Sequence, residues 1–387
     1  MSVFKNREAL LHDYTPSQLP HRESELERLK KYFEPVLRED FNVKVHVYGK
    51  IGTGKTVLCN RLGQDLEREA GKLGKKLKYV YINLAYTPKP YHVMSELVER
   101  VTGFSLAGLS PEQMLANVVK SISKNGYKLV ITLDEADTYI KENGDPKIFY
   151  MLPRVHELHS KAARRISLIY VSRSLDWMKK LDPATLDTLG RTAAVHLEKY
   201  GLPQVKDIIT YRAEEAFTPG AVSEELINFV TQISMSNGGV RYALELLLGA
   251  GRLAEMNLAS YVKAGHVRTV HVSLPKGENG AVHPSLLSLH KQLLLKTLID
   301  ALQATGDPYL PFGEVYSCYE VVCEQNDQEA KTKDTALSYL KSLSSDGYVL
   351  TTTMDGELFL GMEYPFDRLA ELLERTLEDA LQHFRSE

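Results

Sequence analysis

The chain reads as an α/β domain built on a parallel sheet around a phosphate-binding loop, followed by an all-helical segment and then a small helical domain closed by a hairpin. Three observations predict this order. A glycine-rich octapeptide, Gly49-Lys50-Ile51-Gly52-Thr53-Gly54-Lys55-Thr56, follows an apolar strand and opens a helix. Apolar strand-like runs alternate with helical patterns up to about residue 200. Beyond that point only helical periodicity is found until two short strands near residue 350.

Length and composition set the frame. At 387 residues the chain is too long for one compact core, so two or three domains are expected. With 43% hydrophobic and 25% charged residues it has the balance of a globular protein. It has no apolar run of about eighteen residues, so no membrane span is expected. The segment Met1–Glu8 lacks an apolar signal core, so secretion is not expected. The three cysteines, Cys59, Cys318 and Cys323, form no CxxC pair and no zinc-like spacing with histidine. They are read as small core hydrophobes in a reducing compartment. A net charge of −3 excludes an argument for nucleic-acid binding from bulk charge, though not from a basic face.

In chain order, Leu26, Leu29, Phe33 and Leu37 give residues 23–38 an amphipathic helical face. Val43, Val45 and Val47 form the strand that enters the glycine loop, and the helix after the loop runs to about Ala70. A strand at 79–83, a helix near 90–101 and a helix from Ser110 to about Lys124 follow. Ser110-Pro111-Glu112-Gln113 has the cap, the first-turn proline and the Gln three residues on that mark a helix start. Strand Leu129–Leu133 ends at Asp134-Glu135-Ala136-Asp137; a helix around 147–160 leads to a strand at 166–172. Helices Val205–Phe217, Ser223–Met235 and Val240–Met256 form the all-helical segment. Residues 265–285, with Gly265, Pro275, Gly277, Gly280 and Pro284, read as a linker. Helices at 286–303, 313–325 and 332–345, strands at 347–352 and 357–362 joined by Met354-Asp355-Gly356-Glu357, and a final helix Phe366–Phe384 have the order of a winged helix. The expected domains are 1–202, 203–264 and 286–387, with 265–285 between the last two.

The octapeptide matches G-x-x-x-x-G-K-[ST] in full and has the required flanks. Its glycines let backbone N–H groups point inward, and the helix N-terminus adds positive potential where phosphates sit. Lys55 is assigned to the β and γ phosphates of ATP or ADP, and the Thr56 hydroxyl to Mg²⁺; Val57, next in the helix, belongs to the same cradle. Asp134 ends an apolar strand, where an acid is costly unless a cation or donors meet it; it is the second Mg²⁺ candidate. Glu135 is then placed to polarise the attacking water. Asp-Glu-Ala-Asp is also the string of DEAD-box helicases, but the second RecA-like domain those enzymes need is missing here. Ser172 or Arg173, at the end of strand 166–172, is a candidate γ-phosphate sensor. Arg241, after Gly238-Gly239-Val240, reads either as a phosphate-reaching lid arginine or as a plain surface residue. Arg191 is a weak candidate for an arginine finger. In the last domain, Ala336, Leu337, Leu340 and Leu343 would face inward from the third helix. Lys333, Ser338, Tyr339 and Lys341 would face outward, with Lys331 just before them. Such a helix fits a major groove, but a winged helix used for protein contacts stays open, because Asp355 and Glu357 make the hairpin acidic.

These parts resemble, in order and over nearly the whole chain, the archaeal origin-recognition (Orc/Cdc-type) replication initiators of the AAA+ ATPase family. Leu19-Pro20-His21-Arg22-Glu23 resembles the family's N-terminal motif, so Pro20, His21 and Arg22 are implied at the adenine. Gly49–Thr56 and Leu133–Asp137 resemble its Walker motifs. Gly108-Leu109-Ser110-Pro111-Glu112 resembles the initiator-specific insertion, which implies DNA contact by Leu109 and Ser110. Gly239-Val240-Arg241-Tyr242-Ala243-Leu244 resembles its second sensor. The resemblance implies an AAA+ base, a helical lid and a winged helix. It further implies binding of duplex origin DNA. Slow ATP hydrolysis, with Glu135, Lys55 and Arg241 as the reacting set, is expected because no complete in-cis set of catalytic groups is visible. The partners that the resemblance implies are the replicative MCM helicase and other initiator paralogues, with no membrane, in the archaeal cytoplasm at the nucleoid. The chain departs from the pattern in three places: Arg173 stands where the family has an asparagine, Ala184–Thr188 replaces a basic and serine-rich box, and the hairpin is acidic.

Overall fold

The computed structural model describes residues 2–39, 41–87, 89–105, 108–143, 145–155, 163–190, 193–274 and 287–386. The chain divides into two compact units: Asp13–Gln204, and Met1–His12 together with Val205–Glu387.

The first unit is a five-stranded parallel sheet, β1 (Lys44–Tyr48), β2 (Leu77–Asn83), β3 (Lys128–Asp134), β4 (Ile166–Ser172) and β5 (Ala194–His196), in the order β2-β3-β4-β1-β5. Every residue of β3 and β4 is buried, as apolar runs covered on both faces require. One face packs α1 (Glu23–Arg38) and α2 (Lys55–Lys72) through Leu29, Phe33, Leu58 and Leu62. The other packs α3 (Pro90–Thr102), α4 (Pro111–Asn125), α5 (Ala136–Asn143) and α6 (Lys147–Met151) through Val93, Leu97, Met114, Val118 and Tyr139. At Gly63, α2 approaches the sheet so closely that a Cβ would lie 2.3 Å from the Tyr79 ring. The C-terminal carbonyls of α1 are met by lysines: Lys75 donates to Leu37 O (2.6 Å) and Arg38 O (2.8 Å), and Lys128 to Val36 O and Glu39 O. Both satisfy carbonyls that a helix end leaves unpaired. The expected capping box forms: Ser110 Oγ accepts from Gln113 N, and Gln113 Oε1 from Ser110 N. The three-residue β5 is too short to show periodicity, and nothing in the sequence marks it as a strand. The part of the expected 147–160 helix beyond residue 155, and Arg191, lie outside the described residues.

The second unit starts with a helical lid: α8 (Leu202–Ala216), α9 (Glu224–Asn237), α10 (Val240–Met256) and α11 (Ala264–Ser273), with α7 (Pro183–Leu189) the last helix before it. Residues 1–12, assigned to the base from chain order, belong here. Phe4 stacks on Phe217 at 4.8 Å, and buried Arg212 donates to Ala9 O and Leu11 O. Residues 265–273, the first part of the expected linker, lie in a helix that starts at Ala264. Gly265 lies in its first turn, where a glycine costs little, and Val267, Arg268 and His271 are buried; the rest of that stretch, 275–285, lies outside the described residues.

The chain ends in α12 (Leu289–Thr305), β6 (Tyr309–Pro311), α13 (Phe312–Gln325), α14 (Lys333–Ser345), β7 (Leu350–Met354), β8 (Glu357–Gly361) and α15 (Asp367–Ser386), with the sheet in the order β6-β8-β7. Asp355 and Gly356, both in the left-handed region at φ 51° and 83°, make the tight hairpin. Arg268 of α11 reaches this domain: its guanidinium donates to Met362 O (2.8 Å) and to Asp307 O and Pro308 O (3.4 Å each), between the rings of Phe229 and Phe366. No helix among the described residues is long and apolar enough to cross a membrane.

Candidate nucleotide site

The site forms where β1, β4 and β3 end side by side. The Gly49 N–H donates to Ser172 O at 3.3 Å, tying the start of the loop to the end of β4. Gly52 (φ 78°) and Gly54 (φ 86°) adopt left-handed backbone, which other residues reach at a cost. A Cβ on Gly49 would sit 2.3 Å from Leu197 O, and one on Gly54 2.9 Å from the Tyr200 hydroxyl. The loop therefore has no room for side chains at these points, as expected where backbone must approach phosphate. Lys50 and Ile51 are exposed on the outer turn, Thr53 is buried with its hydroxyl on Lys50 O (2.9 Å), and Val57 lies half-buried in the first turn of α2. Lys55 Nζ folds back onto Gly49 O (2.7 Å) and Lys50 O (3.0 Å). Burial lowers its pKa, and the charges of Asp134 and Glu135 oppose that.

Asp134 is buried and accepts three hydrogen bonds. Thr56 Oγ1 donates to Oδ2 at 2.6 Å, the Tyr81 hydroxyl to the same oxygen at 2.9 Å, and the Glu135 N–H to Oδ1 at 2.8 Å. Burial first, then the Asp134 charge, push the Tyr81 phenol far up, so it stays protonated and donates. A hydroxyl and a carboxylate in contact are the hard-oxygen donor pair that Mg²⁺ takes from a protein before phosphate oxygens complete its shell. Glu135 has left-handed backbone (φ 59°). Its Oε2 accepts from Thr138 Oγ1 (2.9 Å) and faces the Arg173 guanidinium at 3.4 Å. Of the two sensor candidates, Ser172 is buried with its hydroxyl on Ser174 O (2.8 Å), and Arg173 is half exposed.

The N-terminal motif is brought to the loop, but as a brace. Arg22 is buried, donates to Thr53 O (3.1 Å) and Glu198 O (2.5 Å), and stacks 4.0 Å over the Tyr200 ring. Its guanidinium thereby fixes the loop's backbone. Pro20 and His21 are half-buried beside it, His21 with φ 64°. Tyr81, Glu198 and Tyr200 escape sequence reading. Each acts across more than fifty residues of chain or through a backbone carbonyl, and no local pattern marks such contacts. Arg241 lies in the second unit, exposed in the first turn of α10.

For nucleic acid, Lys331, Lys333, Ser338 and Lys341 are exposed on or just before α14. Tyr339, expected outward, packs instead against the cluster of Leu294, Tyr319 and Ala336; it sits at the edge of the helix's apolar stripe, where a large ring gains more from burial than from water. Leu337, expected inward, is only half-buried. In the insert, Ser110 is exposed but occupied as a helix cap, and Leu109 packs against the base core. Residues 286–387 carry 18 acidic and 8 basic side chains, against 23 acidic and 30 basic in residues 13–204.

Family models match the chain in three places: an AAA domain over 45–175, a Cdc6 AAA+ ATPase-type lid domain over 206–272 and a CDC6 C-terminal winged helix domain over 285–357. An ORC1-type DNA replication protein of Pyrococcus abyssi is 33% identical over 90% of this chain and 83% of its own length. The chain belongs to the ORC1-type DNA replication proteins. A second member, ORC1-type DNA replication protein 1 of Aeropyrum pernix, is 33% identical over 82% of this chain and 80% of its own. Among solved structures, Cdc6p of Pyrobaculum aerophilum superposes with a TM-score of 0.80 at 23% identity, covering 98% of this chain and all of the other. The Aeropyrum pernix ORC1 protein in complex with DNA superposes with a TM-score of 0.62 at 28% identity, covering 97% of each chain. This ORC1-type chain is thus an Orc1/Cdc6-type replication initiator with an AAA+ base, a helical lid and a winged helix.

Proposed function

We propose that this initiator binds ATP or ADP with Mg²⁺, hydrolyses ATP slowly, grips duplex origin DNA and helps recruit the replicative MCM helicase. The observation that carries the nucleotide part is the Thr56–Asp134 contact at 2.6 Å at the mouth of the glycine loop, with Glu135 next in the chain. Lys55 would pair with the β and γ phosphates once it leaves Gly49 O and Lys50 O; Thr56 and Asp134 would hold Mg²⁺, whose chemistry is to neutralise charge on the phosphates. Glu135 would orient the attacking water. Slow turnover is expected because Ala184–Thr188 supplies no arginine, and an arginine from a second molecule is worth roughly 10³–10⁵ in rate. Arg241 is proposed as the lid's phosphate sensor.

The DNA part is supported by the related Aeropyrum pernix ORC1 protein, solved with DNA. Lys331, Lys333, Ser338 and Lys341 are the proposed winged-helix contacts, with the insert at Leu109 and Ser110 as a second contact. The excess of acid over base in residues 286–387 favours a second reading, in which the winged helix docks on the helicase or another initiator and the base meets the DNA. Fluorescence anisotropy on origin and scrambled duplexes across a salt series separates the two. If the winged helix reads DNA, Lys333→Ala with Lys341→Ala lowers affinity and flattens the log–log salt slope by about two units, since each phosphate that a lysine neutralises contributes about 0.9. Unchanged affinity and slope would hand the winged helix to protein partners.

A further inference from the structure

The chain passes between its two units twice, after His12 and after Gln204. Both passages are fastened to the glycine loop by one side chain. The first runs from His12 to Arg22, whose guanidinium donates to Thr53 O at 3.1 Å. The second leaves the base through Glu198 and Tyr200, and the same guanidinium donates to Glu198 O and lies over the Tyr200 ring. Along the first passage Arg61 donates to Pro16 O at 3.4 Å, and Leu19 is buried in the base core.

The other end of the first passage is held in the lid. Val3, Phe4, Ala9 and Leu10 are buried. The Lys5 and Asn6 N–H groups donate to Ala216 O at 2.9 and 3.0 Å, and the Thr218 N–H to Val3 O at 2.9 Å. A Cβ on Gly251 would lie 2.2 Å from the tip of the Phe4 ring, so α10 is bare where that ring docks. Glu255 receives both the Ser2 hydroxyl and the Arg7 guanidinium. Buried apolar side chains and paired backbone make residues 2–12 a docked element of the lid, which a frayed end would not be.

We propose that residues 2–12 are a strap by which the lid sets the order of the phosphate loop, with Arg22 as the positioning residue at the strap's far end. A segment held at both ends samples fewer conformations than one held at a single end. With the strap docked, the residues between His12 and Arg22 are confined, and the guanidinium is presented to Thr53 O already in place. With the strap released, Arg22 has to be ordered anew whenever the loop closes on a nucleotide, and that entropy is lost from the binding free energy. The coupling is reciprocal: a nucleotide that seats the loop holds Arg22, and through it holds the strap on the lid. This inference rests on the nucleotide-binding reading above and extends it to a part of the chain outside the loop.

The test is a double-mutant cycle in the full chain, read by calorimetry with ADP and Mg²⁺ and checked for folding by circular dichroism. Arg22→Met should weaken ADP binding roughly ten- to a hundredfold, the worth of a hydrogen bond from a charged group, and Arg22→Lys should restore part of it. Phe4→Ala, which loosens the strap in the lid, should weaken ADP about fivefold, the low end of coupling between sites, and should add nothing in the Arg22→Met background. Arg212→Met, which removes the donors to Ala9 O and Leu11 O, should repeat the Phe4→Ala result if that variant does not fold. Val230→Ala, buried in α9, is the control for a loosened lid and should leave ADP affinity unchanged. Hydrogen exchange reads the reverse direction: ADP should slow the Lys5, Asn6 and Thr218 amides in the wild type and not in Arg22→Met. Exchange at those amides that ignores ADP, a Phe4→Ala loss of equal size without Arg22, or an equal loss in Val230→Ala overturns the strap. Failure of the wild type to bind ADP at all would instead strike the nucleotide reading, and the strap's role with it.

Discussion

Replacing Arg268 with methionine tests whether a buried cation holds the lid to the winged helix. Only 2% of the residue is exposed, and burial pulls its pKa down to about 10. Keeping it charged at pH 7 therefore costs on the order of 3 kcal/mol. Against this stand a charged hydrogen bond to Met362 O at 2.8 Å, worth about 1.5–3 kcal/mol, and two longer ones at 3.4 Å to Asp307 O and Pro308 O. The Phe229 and Phe366 faces, at 5.0 and 4.4 Å, add about 1–2 kcal/mol each where desolvated. The balance favours the cation by a small margin. Arg268→Met keeps much of the apolar contact but leaves the Met362 carbonyl without its donor, so a loss of about 1–3 kcal/mol is expected. That corresponds to a fall of roughly 2–10 °C in the melting of the second unit. The chain's one tryptophan, Trp177, lies buried in the base. Its fluorescence transition should stay in place while a second calorimetric transition drops. An unchanged or raised transition in Arg268→Met would show that desolvation outweighs the contacts and that Arg268 is no strut.

Lys55→Ala should abolish ADP binding, since the polyphosphate loses its main counter-charge; equal affinities by calorimetry would remove Lys55 from the site. Tyr81→Phe should weaken Mg²⁺-dependent nucleotide binding by roughly ten- to a hundredfold, the worth of one hydrogen bond to a charged group, with little change in Mg²⁺-free binding; equal loss in both would make Tyr81 a general packing residue. Arg241→Ala should alter how nucleotide changes DNA affinity more than it alters melting, and full retention of that coupling would leave Arg241 a surface residue. His46 is buried on Gly190 O at 2.8 Å and stacked on Tyr170, and burial lowers its pKa. It stays neutral in the fold while the unfolded chain binds a proton as pH falls through about 6.5. The wild type should therefore lose more stability from pH 7 to pH 5 than His46→Phe does, and parallel melting curves would show that His46 does not titrate on unfolding.

What the sequence discloses about this protein follows the range of the forces involved. The glycine loop between a strand and a helix, Asp134 at a strand end and the Ser110 cap are local patterns, set by residues within a few positions of one another, and the structure places each on the expected element. The long helices are legible because their apolar stripes repeat over several turns. β5 and β6 have three residues each, too few for any period, and are strands only because a neighbour offers its backbone. Residues 265–273 read as linker because Gly265 precedes a run of prolines and glycines, whereas Arg268 and His271 are polar side chains buried by partners nearly a hundred residues away. Arg22 is legible as belonging to the nucleotide end, but not as a brace for Thr53. That depends on Glu198 and Tyr200, which nothing near Arg22 announces.

The left-handed backbone at Glu135 sets stability against chemistry at a single position. At φ 59° a glycine or an asparagine would sit more easily, and a residue held in such a sparsely populated region costs of order 1 kcal/mol or more. The turn would be relaxed by deleting the very carboxylate that points toward Thr138 and Arg173. A search for thermostable variants of this chain would therefore be drawn to Glu135→Gly and Glu135→Asn, and each apparent success there would be a molecule that folds better and has lost the group proposed to orient water.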